Sequence, residues 1–170
     1  MIKRGTMIGL VAALLLLGGQ ALAGEKEKEP TTELEIGAAG EWSRQGGSSF
    51  GPSAAIEYTA IKDWLEIELG VSPLSGGGQT QWGTELVFKK PFSLTDNIEV
   101  MVGGGAEWVH KTGGGDNTNS AAGVAVLDFQ FWPSRERKFG WFLEPSYGYD
   151  FGKGHEQSLG VNVGLLIPIP

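Results

Sequence analysis

Trp64-Leu65-Glu66-Ile67-Glu68-Leu69-Gly70-Val71-Ser72 alternates with a period of two. Leu65, Ile67, Leu69 and Val71 share one parity, while Glu66, Glu68, Gly70 and Ser72 share the other with Trp64. Successive side chains of a strand point to opposite faces, so the stretch is a ribbon with an apolar face and a carboxylate face. A helix would scatter both sets around its circumference. The same alternation returns in segments 33–43, 52–61, 80–90, 98–109, 120–132, 139–149 and 158–169. With segment 64–72 that makes eight strands, each close to the roughly ten residues that cross a bilayer at a tilt.

What precedes the first strand is of another kind. Residues 1–23 carry Lys3 and Arg4, an apolar run from 7 to 17, and a small-residue end, Ala21-Leu22-Ala23. That is the pattern of a cleaved secretory signal, and the apolar run is short for a spanning helix of about 20 residues. Residues 24–32, with Glu25-Lys26-Glu27-Lys28-Glu29-Pro30, read as a mobile tail. The expected barrel domain is 33–170. Of 13 basic and 20 acidic residues, only Lys3 and Arg4 leave with the signal. The acidic remainder argues against nucleic acid as a partner. The chain has no Cys, so an exported form is stabilised by packing and hydrogen bonds rather than disulfides.

Between the strands, the connections alternate in character. Segments 44–51, 72–79, 111–119 and 150–157 are rich in Gly, Ser, Asn or Thr. Lys62-Asp63, 91–97 and 133–138 are tight or Pro-bearing. If both termini face the periplasm, the first group faces outward. The Gly103-Gly104-Gly105 run reads either as a flexible break or, preferably, as room for bulkier neighbours inside a narrow barrel.

An even set of hairpin-joined strands can close and leave no edge, as a lipid-facing sheet requires. Aromatics gather near strand ends: Trp42, Trp82, Trp108, Tyr147 and Tyr149 at one rim, with Tyr58, Phe88, Phe129, Phe131, Phe139 and Trp141 toward the other. Girdles of this kind suit headgroup depth. The alternative is a soluble, lipocalin-like barrel binding an apolar ligand, with the apolar face turned inward.

On signal, strand number, girdles and loop alternation, the chain resembles small eight-stranded outer-membrane β-barrel proteins of the OmpA/OmpX type, over residues 33–169. The resemblance implies an all-β, antiparallel, up-and-down transmembrane barrel in a Gram-negative outer membrane, porin-like in architecture. It implies contact with outer-membrane lipid; the alternation and the girdles lead to the expectation of a monomeric state. One departure is the ending, Ile167-Pro168-Ile169-Pro170, where such proteins carry a terminal aromatic residue. The prolines predict a last strand that stops early.

Catalytic chemistry has little to stand on. His110 and His155 are the two histidines. His155-Glu156-Gln157-Ser158 sets a base, an acid and a hydroxyl side by side, but loop neighbours seldom converge on one point. Lys111-Thr112-Gly113-Gly114-Gly115-Asp116 lacks the residue order of a phosphate loop, and Asp116-Asn117-Thr118-Asn119 lacks Ca²⁺-loop spacing. No cofactor or enzymatic role is expected.

The polar parity remains: Glu35, Glu41, Glu57, Glu66, Glu68, Glu85, Glu99, Glu107, Asp128 and Glu144, with Lys89 nearly alone against them. It reads either as a hydrated structural filling or as a cation-attracting interior. In the second case Glu66, Glu68, Glu85 and Glu144 are the expected contacts for small cations, followed by Glu57 and Asp128. A third class, an interaction protein acting through its short outer loops, stays open.

Overall fold

The computed structural model describes residues 32–43, 47–113, 117–152 and 154–169. The predicted signal, and the predicted tail up to residue 31, lie outside the described residues. Eight strands follow in order: β1 (Thr32–Ser43), β2 (Gly47–Ile61), β3 (Leu65–Gly76), β4 (Gln79–Thr95), β5 (Ile98–Gly113), β6 (Thr118–Phe131), β7 (Gly140–Asp150) and β8 (Gln157–Pro168). Each pairs antiparallel with its neighbours in sequence, and β1 pairs with β8, so the sheet closes into a barrel. Among the described residues no helix is long and apolar enough to cross a membrane.

The predicted parity decides which side faces in. Ile36, Ile56, Leu69, Leu86, Leu127, Leu143 and Val163 are exposed on the outer surface. Glu35, Glu57, Glu68, Lys89, Asp128, Gln130 and Glu144 are buried inside. A ligand-binding barrel of the lipocalin kind needs the reverse, so that alternative does not describe this chain. The aromatic residues form rows along the ladder. At the end bearing the connections after β1, β3, β5 and β7 (the loop end), Trp42 lies opposite Leu159, and Leu159 opposite Tyr147. At the end bearing the termini, Tyr58, Ile67 and Phe88 form one row, and Phe131, Trp141 and Leu165 another.

Several segments predicted as loops are paired strand. β2 begins at Gly47 rather than 52, β3 runs on to Gly76, β4 to Thr95 and β5 to Gly113. Composition alone marked these stretches as turns, yet a neighbouring strand that supplies hydrogen-bond partners holds Gly and Ser in a ladder as well as any residue. Trp64 leaves the opening ribbon and sits exposed in the turn before β3. The β3–β4 connection shrinks to Gly77-Gly78, both at positive φ (59° and 79°). That is the geometry of a two-residue hairpin whose twist matches the strands it joins.

Among the described residues five prolines lie inside strands (Pro52, Pro73, Pro91, Pro145 and Pro168), and two of them, Pro91 and Pro168, sit where one neighbour has run out. The β3–β4 ladder ends at Glu66 opposite Lys89, two residues before Pro91. The β7–β8 ladder ends at Gly140 opposite Leu166, two residues before Pro168. Ile169 donates its N–H toward β1, to the Thr32 carbonyl at 2.9 Å, so the neighbouring Pro168 nitrogen points to the vacated β7 side. At Pro168 no ladder bond is lost. The last strand therefore does not stop early; Pro168 pairs with Glu33.

The Gly103–Gly105 run is continuous strand, not a break. Gly103 lies directly opposite Lys89, and a Cβ there would come 2.9 Å from the lysine Cγ. The missing side chain makes room for the one that fills the lumen.

Candidate functional site

Strand alternation aims residues from five different strands at the barrel axis, and they meet around one cation. Lys89 of β4 is fully buried. Its Nζ lies 3.2 Å from Glu57 Oε2, 3.1 Å from Asp128 Oδ2 and 2.7 Å from Glu144 Oε2, and it pairs with Glu68 as well. Those carboxylates come from β2, β6, β7 and β3. Gln130 braces two of them, donating from Nε2 to Glu57 Oε1 at 3.0 Å and to Asp128 Oδ2 at 3.3 Å. Four carboxylates share an ammonium that has three N–H groups. A charge cluster taken out of water holds only when its members satisfy one another.

Glu35 of β1 completes the cluster without touching the lysine network through a hydrogen bond. It is 1% exposed, and neither of its carboxylate oxygens has a hydrogen-bond partner. One of them stands with an oxygen of Glu57 and one of Asp128, all within 4.8 Å of one another.

Toward the loop end the lumen opens into a cavity of about 60 Å³. Glu41, Glu85, Glu107, Glu144, Ser146 and Asn162 are among its lining residues. By the roughly 15 Å³ a water needs on this measure, it holds on the order of four waters. Glu85 and Glu107 face each other across the β4–β5 ladder, and Ser53 Oγ donates to Asn162 Oδ1 at 2.7 Å. Nearer the mouth, Gln81 donates to Glu41 at 3.3 Å.

The other end is sealed by a residue that reads, in sequence, as the last of a strand. β6 stops at Phe131, and Trp132 turns inward to pack with Phe142 and Leu166, all buried. Gly140 gives it space; a Cβ there would lie 2.9 Å from the indole. Asn97, in the β4–β5 turn, accepts from the Trp132 N–H at 2.8 Å and donates from Nδ2 to the Trp132 carbonyl at 2.5 Å. Arg137 folds back over the ring at 5.3 Å and donates to Glu99 at 3.4 Å. Trp132, predicted as the last residue of strand 120–132, thus acts as a stopper, and Arg137 from the turn 133–138 covers it. The alternation breaks at Trp132-Pro133, and nothing local says which way the indole will go.

The carboxylates predicted as cation contacts divide three ways. Glu57, Glu68, Asp128 and Glu144 gather on Lys89. Glu85 lies in the cavity. Glu66 is half-buried on the termini side, with Glu33, Glu57 and Glu99 as its charged neighbours, and so is not a mid-barrel residue. The sequence places Glu35 on the polar parity but not among the expected cation contacts, and the hub role of Lys89 and the inward turn of Trp132 are not read from it. The lone basic residue on an acidic parity was the available signal for the hub. The girdle residues Trp42, Trp82, Trp108, Tyr147, Phe129 and Trp141 all project outward and are exposed.

The histidines do not assemble a catalytic group. His110 Nδ1 sits 2.7 Å from Asn119 Oδ1. His155, at φ 49°, stacks on Tyr149. Glu156 turns instead to Ser43, which donates to it at 2.6 Å, and to Lys111 at 3.5 Å.

No protein-family model matches the sequence, and no curated protein matches it either. Solved structures do. Neisserial surface protein A is 14% identical with a TM-score of 0.64, over 81% of this chain and 96% of that one. Ail, the attachment invasion locus protein of Yersinia pestis, is 13% identical with a TM-score of 0.55, over 82% and 98%. A de novo designed transmembrane β-barrel is 16% identical with a TM-score of 0.52, over 83% and 99%. At such identities the likeness speaks for fold. The chain has the closed, eight-stranded, antiparallel fold of small outer-membrane barrels.

Proposed function

We propose that the protein is a monomeric barrel of the bacterial outer membrane, exported by a cleaved signal and structural in role rather than catalytic. The carrying observation is the sidedness of the sheet, an apolar outer belt with aromatic rows at both ends around a charged, filled interior. A surface of that kind is stable in lipid and a liability in water. Cell fractionation together with gel migration before and after boiling tests it. The expected result is a membrane-fraction protein whose unboiled form runs as a compact band. Recovery as a soluble periplasmic protein with one mobility would refute it.

Leu69, at mid-strand in β3 and 57% exposed, gives a second measurement. Leu69→Arg places a charge at the middle of the belt, and should cost about 2–4 kcal/mol of folding stability in lipid vesicles. Denaturant titration of both proteins in the same vesicles reads this; a change near zero would move the belt out of the bilayer.

Of the two uses of an acidic lumen, the closed structural filling is better supported than a narrow cation path. The Lys89 cluster and the Trp132 stopper lie in series along the axis, and eight strands enclose little more than their own side chains. Planar-bilayer recordings should be silent. A role through the loop end has less support, because the β3–β4 hairpin offers two glycines as its tip. Ail has been solved with the heparin analogue sucrose octasulfate. Among the described residues, Glu41, Asp150 and Glu156 outnumber Lys111 around the loop-end mouth, which weighs against a polyanion as ligand.

A further inference from the structure

We infer that the barrel interior holds one Ca²⁺, bound by Glu35, Glu57 and Asp128 beside the Lys89 cluster. Charge and geometry lead to the same place. Five carboxylates (Glu35, Glu57, Glu68, Asp128 and Glu144) surround one ammonium in a space without bulk water. Lys89 offsets one of those charges and forms ion pairs with four of the acids, of which Asp128 accepts a hydrogen bond from it. Glu35 is left over, fully enclosed, with two unpartnered oxygens. Asp128 Oδ1 is unpartnered too.

The three ligand atoms, one from each residue, stand within 4.8 Å of one another. A cation at the centre of such a triangle sits within reach of the roughly 2.3–2.6 Å bonds that Ca²⁺ makes to oxygen, after a small contraction. Ca²⁺ tolerates irregular sets of oxygen ligands. Mg²⁺ demands a near-ideal octahedron and keeps its waters, which this enclosed position does not admit. A double charge also offsets the surplus better than Na⁺ would. The ligands come from β1, β2 and β6, so the ion would tie strands far apart in sequence. The acidic cavity on the loop side, reaching Glu144, supplies a wet approach from the mouth.

The inference does not depend on a cellular location, because it concerns the folded barrel alone. Full-length protein is folded in detergent, stripped with chelator and dialysed against ⁴⁵Ca²⁺ at fixed ionic strength, with Mg²⁺ as competitor. The expected result is one Ca²⁺ per barrel, little displaced by Mg²⁺, with roughly tenfold or greater loss of affinity in Glu35→Gln. Glu107→Gln, across the cavity and outside the triad, should bind as wild type does. Absence of saturable binding to the wild type would overturn the inference, whatever the variants do. So would equal weakening by the two substitutions, since that marks diffuse attraction to an acidic lumen. If Glu35→Gln fails to fold, Asp128→Asn takes its place in the same comparison.

Discussion

Lys89→Met is expected to prevent formation of the compact barrel, the largest effect of any single substitution in this chain. Methionine retains nearly the length of the lysine stem and fits the space above Gly103, so packing changes little. The charge is what disappears. Glu57, Glu68, Asp128 and Glu144 would then face one another without the ammonium that now pairs with all four. Removing one partner from a buried ion pair costs about 3–5 kcal/mol, and here four acids lose the same partner. That approaches the whole stability of an ordinary domain, roughly 5–15 kcal/mol. The unboiled gel band reads the outcome directly. A rescue distinguishes charge from shape: Lys89→Met combined with Glu57→Gln, Glu68→Gln, Asp128→Asn and Glu144→Gln removes the imbalance, and should regain the compact band. If Lys89→Met alone folds normally, the cluster is not holding the barrel together.

Trp132→Ala is the second. The indole is completely buried against Phe142 and Leu166, so truncation leaves a cavity that the closed sheet has little freedom to collapse around. The expected loss is about 3–5 kcal/mol, read as a lower denaturant midpoint in detergent or vesicles. Amide exchange should also quicken at Trp132 and Asn97, whose backbones are joined at 2.8 Å, and at Arg137, which loses the ring beneath it. The Lys89 cluster lies farther up the axis and is untouched, so the variant should remain non-conducting. A midpoint unchanged from wild type would mean that the indole is not a stopper.

These two residues mark where sequence reasoning reached its limit. The polar parity and its acidity were plain from alternation, because the period of two belongs to the backbone itself. Lys89 stood out as nearly the only cation on that parity. That it would collect acids from four strands was not visible, since Glu57, Glu68, Asp128 and Glu144 are spread over 88 positions of sequence. The alternation of its neighbours places Trp132 at the end of a strand.

The sequence by itself determined the fold class, the number of strands, their antiparallel order and the face each side chain takes, because each depends on neighbours a few residues away. Strand ends were legible only within several residues. Ladder partners from adjacent strands carry pairing through 47–51, 73–76, 91–95 and 111–113, where composition favours loops. The tertiary structure alone decided which inward residues share a level. Closing the sheet through β1 and β8 sets the register of every strand against the axis at once. A shift of two residues in one pairing would preserve every face and every pattern in the sequence, yet deliver a different set of carboxylates to Lys89.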